Sequence, residues 1–159
     1  MKIPESMKAE LATWFNGEGA NLEDWVCSMG NFSLAVGYSA IFWPSFVEFE
    51  DYIFIGDSID DDVIKTIRSF EAQEGSSPKS VECTLNHFHI WHLQHVGCED
   101  ISKDKIIQLG NTLREIYQVK LNYLFPNKPC IVEFYHPEDP EDLSGYEMTF
   151  WQKKHEESA

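Results

Sequence analysis

The sequence predicts a single α+β domain with five to six helices packed on a small antiparallel sheet of about four strands. Three observations predict it. Apolar residues recur every three to four positions over several separate stretches, the period of an amphipathic helix. Two regions, near 46–55 and 130–151, instead collect aromatic and β-branched residues in paired runs, the pattern of hairpins. The chain of 159 residues is 43% hydrophobic, with five Trp, six Tyr and eleven Phe, enough for one core without disulfides or metals. Runs of helices beside separate strand pairs belong to the α+β class.

Each element has its own signal. Pro4 to Phe15 places Met7, Leu11, Trp14 and Phe15 at helical spacing, and Gly17 and Gly19 stop the helix. Asn21 caps a second helix with Leu22, Trp25, Val26 and Met29 on one face and Gly30 as its stop. Residues 31–43 fit both periods. Leu34, Tyr38, Ile41 and Phe42 favour a helix ending before Pro44. Phe46–Phe49 and Tyr52–Ile55 read as a hairpin turning at Glu50-Asp51. One long bent strand is the alternative, because Glu-Asp lacks the glycine such turns favour.

Asp57 to Ala72 reads as a helix with Val63, Ile67 and Phe70 on one face, and Ser58 with Asp61 has the capping pattern. Ser77 caps the next helix, with Pro78 at its first position. That helix is expected to continue through His95 and to be central. Val81, Leu85, Phe88 and His92 share a face, and Phe88, Ile90, Trp91, Leu93 and Val96 point in several directions. Ser102 caps a long helix to Leu124 with Ile106, Gly110, Leu113 and Tyr117 on its face. Gly110 costs about 1 kcal/mol relative to Ala, which implies a close contact there. Cys130–Tyr135 and Tyr146–Trp151 are paired strands joined by the loop His136–Gly145. The domain is expected to span 1–152, with 153–159 a charged, fraying tail.

Charge narrows the function classes. Twelve Lys and Arg oppose twenty-seven Asp and Glu, a formal charge of −15. Such a surface is a poor partner for nucleic acid or an anionic membrane. A basic protein or a cation is attracted instead. No signal-peptide pattern opens the chain, and no apolar run approaches the ~20 residues that span a bilayer. Cys27, Cys83, Cys98 and Cys130 form no CxxC pair, so the expected setting is a reducing cytoplasm with free thiols. Cys27 and Cys130 sit among apolar neighbours and read as small buried hydrophobes. Trp14, Trp43, Trp91 and Trp151 read as core residues.

The sharpest local feature is a histidine run. His87, His89, His92 and His95 lie within nine residues, and Cys98 extends the three-residue spacing. His87, His89 and His92 are the candidates for proton transfer, and His89, His92 and His95 for metal ligation. On a straight helix each three-residue step drifts about 60°, so only an i,i+3 pair can share an ion. No third ligand is identifiable. In the same helical geometry His87 and His89 point apart, and His92 shares the face of Val81, Leu85 and Phe88, which makes a core histidine its alternative reading. No cofactor is expected, and no GxSxG, HExxH or phosphate-binding glycine loop is present.

Two acidic clusters complete the set of candidates. Asp57, Asp60, Asp61 and Asp62 surround a helix start, where capping explains part of the pattern. Glu138, Asp139, Glu141 and Asp142 lie in the loop, as a solvated turn or as part of a binding surface. The leading expectation is a small acidic binding module for a basic protein, physically akin to inhibitors and immunity proteins. A small enzyme or metal-binding protein using the histidines is the second reading. A structural subunit whose acidity confers solubility is the third. The sequence leaves the oligomeric state open.

Overall fold

The computed structural model describes residues 2–95, 97, 98 and 100–158. Among them, six α-helices and five strands run along the chain in the order ααα-ββ-αα-β-α-ββ. Side-chain caps start several helices. The Asn21 amide oxygen accepts from Asp24 N at 2.8 Å and starts α1's successor α2 (Leu22–Met29), where α1 is Glu5–Ala12. The Asn31 amide oxygen accepts from Leu34 N at 2.9 Å and starts α3 (Phe32–Phe42), so residues 31–43 resolve as helix. At α4 (Asp61–Glu71) the cap is Asp60, not Ser58. Its carboxylate accepts from Asp62 N and Val63 N at 3.0 and 2.9 Å. Ser77 and Ser80 cap α5 (Pro78–Leu85) reciprocally.

The strands form two sheets rather than one sheet of about four. β1 (Phe46–Phe49) and β2 (Tyr52–Ile55) are an antiparallel hairpin. Glu50 takes the left-handed conformation, φ 53°, that a two-residue turn demands. β4 (Cys130–Tyr135) and β5 (Glu147–Gln152) are the second antiparallel pair. A strand absent from the sequence reading, β3 (Phe88–His89), pairs with the other edge of β5, giving the order β3-β5-β4.

β3 exists because the expected central helix 78–95 stops at Leu85. Asn86 follows at φ −98°, ψ 5°, and its side chain is committed to strand backbone. Residues 90–93 then make a 3-10 turn. The apolar run that suggested a buried helix is an alternation. His87 and His89 face one way, while Phe88 and Ile90 join the core. Val96, counted in that run, lies outside the described residues.

α6 (Lys103–Leu124) covers the other face of the three-stranded sheet with Ile106, Leu113, Tyr117 and Leu121. Gly110 is the close contact its position implied. A methyl group there would meet the Phe134 ring at 2.2 Å. The α6 side chain Gln118 donates to Cys130 O at 2.9 Å and accepts from Val132 N at 3.2 Å, closing the outer edge of β4. Ile67, Val81, Tyr52 and Phe54 form a second core cluster between α4, α5 and the hairpin.

Glu82 of α5 and Asn86 just beyond its end join the two sheets. The buried Glu82 carboxylate accepts from Ile53 N at 2.8 Å, Gln152 N at 2.6 Å and Gln152 Nε2 at 2.7 Å. Asn86 accepts from Ile55 N at 3.1 Å and donates to Ile53 O and Phe150 O at 2.8 and 3.3 Å. Four residues apart, both lie on one helix face and pair with the β2 and β5 edges as a strand would. The expected frayed tail is part of this arrangement. Lys153–Ser158 form a 3-10 turn, and His155, only 4% exposed, places Nδ1 3.0 Å from Glu82.

Glu82→Ala is expected to lower stability by about 3–5 kcal/mol, because it orphans buried N–H donors on both sheets at once. A falling urea midpoint at unchanged m-value measures it.

Candidate functional site

Strand register places chemistry on the sheet face away from α6. His89 pairs with Glu147 and Glu147 with Tyr135, so these three stand in one row across β3, β5 and β4. α5 covers only part of this face. The Thr149 hydroxyl donates to Cys83 O at 2.6 Å, and Lys79 Nζ lies 4.3 Å above the Trp151 ring. Beyond the end of α5 the face is open, and His87, His89 and Glu147 meet there.

The geometry is close. Glu147 Oε2 lies 3.2 Å from His87 Nε2, and Glu147 Oε1 lies 3.3 Å from His89 Nδ1. One ligand atom from each of the three falls within 4.8 Å of the others. The two imidazoles meet edge to face with centroids 4.7 Å apart. His89 Nδ1 is also 2.7 Å from Ser144 O. A carbonyl only accepts, so in a neutral ring bonded there the proton sits on Nδ1, and Nε2, not the Nδ1 beside Glu147, is the nitrogen left to hold an ion. A second partner of this kind is what orients metal-binding histidines.

The sequence candidates are thus partly regrouped. His87 and His89, expected to point apart, stand side by side because the backbone is strand and not helix. The third group is Glu147, distant in sequence and outside the candidate set. The signal that could have found the pair is the alternation His87-Phe88-His89-Ile90. His92 is exposed rather than in the core, and its ring centroid is 5.0 Å from that of His89. His95 is exposed and outside the three-residue cluster.

The loop acids approach the same place. Asp142 accepts from Ser144 N and Oγ at 3.1 and 2.6 Å, fixing the turn whose carbonyl meets His89. That Ser144 hydroxyl holds the Asp142 carboxyl below the usual range. Asp139 accepts from Glu141 N at 3.0 Å, Glu141 pairs with Lys103, and Glu138 is exposed. Asp57, Asp60, Asp61 and Asp62 gather instead at the start of α4, where Asp60 caps the helix and Asp62 pairs with Lys65.

Comparison with known proteins adds no assignment. No family profile, curated protein or solved structure matches this chain.

The neighbouring thiol and phenol are both shifted toward their neutral forms. Burial, opposed by Lys79 and reinforced by Glu82 and Glu133, pushes the Cys83 thiol up to about 11. Burial and a hydrogen bond to Glu133 push the Tyr135 phenol well above its usual range. Cys130 is raised to about 12 by burial. Cys27, expected in the core, is exposed, because α2 buries no residue. A surface depression of about 500 Å³ is lined by Arg114, Gln118 and Val132 on the α6 side, away from the histidines.

Alkylation with iodoacetamide at about pH 7.5 is expected to modify Cys27 well ahead of Cys83 and Cys130, since thiolate and access both govern the rate. Peptide mapping by mass spectrometry reads the order. Labelling of the two raised thiols should grow only toward their titration range or on unfolding.

Proposed function

We propose that the protein binds a divalent transition-metal ion through His87, His89 and Glu147. The observation that carries this reading is the convergence of three donor groups from neighbouring strands within 4.8 Å, with one imidazole already oriented by a backbone carbonyl. Two imidazoles and a carboxylate suit zinc or ferrous iron, and three protein ligands leave coordination positions for water or a substrate. The open sheet edge gives such a ligand access. The charge of −15 raises the local concentration of cations around the chain. In this role the protein's groups fix ligand geometry, and the ion supplies Lewis acidity or redox chemistry.

Calorimetric titration with Zn²⁺ and Co²⁺ is expected to give one site per chain, and His89→Ala or Glu147→Gln should weaken it at least about tenfold, roughly 1.4 kcal/mol. Acidification should release the ion, because a protonated imidazole has no lone pair to give. Equal affinity in wild type and both variants would remove the proposal.

A second reading is that the acidic surface recognises a basic protein, in the manner of an inhibitor or immunity protein. Asp57, Asp61 and Glu138 support it, being exposed and without a salt bridge among the described residues. Such a complex is expected to be captured at low salt and released at about 0.5 M, where exposed charges are screened beyond a few ångströms. Asp61→Lys with Glu138→Lys should abolish it. A partner held equally well by the double variant counts against the charge-based interface.

A further inference from the structure

We infer that the chain self-associates into a two-fold dimer through α3, with α2 at the margin. Residues 26–40 are all exposed, and none is charged. A helix apolar on all sides belongs in an interior, yet α3 has only one side covered. That side is Tyr38, whose hydroxyl donates to Leu93 O at 3.1 Å, with Ile41 and Phe42 against the core. At 100° per residue, Phe32, Val36, Ala40 and Trp43 form the opposite stripe. Phe32 is 92% exposed, Val36 69% and Trp43 56%. Val26 and Met29 of α2 extend the patch at 56% and 58%.

The occupant is a second copy, for two reasons. These five large side chains expose roughly 600 Å², most of the ~800 Å² that each partner contributes to a stable interface. The stripe also complements itself. In an antiparallel pairing centred on Val36, Phe32 of one copy faces Ala40 of the other, so large meets small. Two chains of charge −15 repel, and the uncharged segment 25–47 is where they can approach. This inference is independent of the histidine cluster.

Sedimentation equilibrium of the full chain from about 1 to 100 µM is the test, at ionic strengths of about 0.05 and 0.5 M. The expected result is a monomer–dimer equilibrium that tightens several-fold at high salt, as repulsion between like-charged copies is screened. Phe32→Glu and Val36→Glu should each shift it at least tenfold toward monomer, with unchanged far-ultraviolet circular dichroism. Tyr123→Glu, an exposed control on α6, should leave it unaltered. A monomer throughout this range overturns the inference, as does a dimer that survives both α3 substitutions. A monomer that binds phosphatidylcholine vesicles, and loses binding in Phe32→Glu, assigns the stripe to a lipid surface instead.

Discussion

The buried carboxylate of Glu82 and the amide of Asn86 join two sheets that share no ladder. β2 and β5 both turn an edge toward α5, and an unpaired edge in the interior leaves N–H and C=O groups without water. A helix cannot pair its own backbone with a strand, but side chains four residues apart on one face can reach a strand's donors and acceptors. A charged acceptor is suited to this place. It takes several N–H bonds at once, and charge-assisted bonds are stronger than neutral ones. Gln118 serves the outer edge of β4 in the same way, so both helices that flank the three-stranded sheet protect edges as well as cover faces.

This junction also explains where the histidines end up. Asn86 can reach both sheets only if the helix ends beside them, and the chain must then leave as a strand along β5. The next four residues alternate, so Phe88 and Ile90 enter the core while His87 and His89 emerge beside Glu147. The meeting of His87, His89 and Glu147 is therefore a consequence of a helix stop made by a buried polar residue. Ser144 completes it from the acidic loop, whose own Asp142 holds the turn. Most of the acids in that loop cap or pair locally, while the histidine cluster joins two distant parts of the chain, 87–89 and 144–147.

The two halves of the molecule differ in how they are held. The half containing α4, α5, α6 and both sheets is tied by polar bridges and two apolar clusters. The segment from α2 to α3 makes few such ties. Tyr117 donates to Ile41 O at 2.9 Å, and Lys120 donates to Trp43 O at 3.2 Å while its ammonium lies 4.6 Å from the Trp43 ring. Burial draws the Lys120 ammonium below its usual range. These contacts fix the end of α3 and leave its far side bare, and Trp43 stays exposed despite them. No described helix is long and apolar enough to cross a membrane.

Local chemistry determined much of this protein from sequence alone. The caps at Asn21 and Ser77, the paired runs at 46–55 and 130–151, and the small residue Gly110 against a ring were all legible, because each rests on neighbours within a few positions or on a steric rule. The hairpin turn formed even without glycine, since strand pairing on both sides imposes a positive φ on Glu50. Tertiary structure alone decided the stop at Leu85, because it depends on strand edges some 30 and 65 residues away that Asn86 must reach. It decided the docking of the tail through His155, and the division into two sheets. It also decided the candidate site, for Glu147 meets the histidines only through register, which no spacing along the chain encodes.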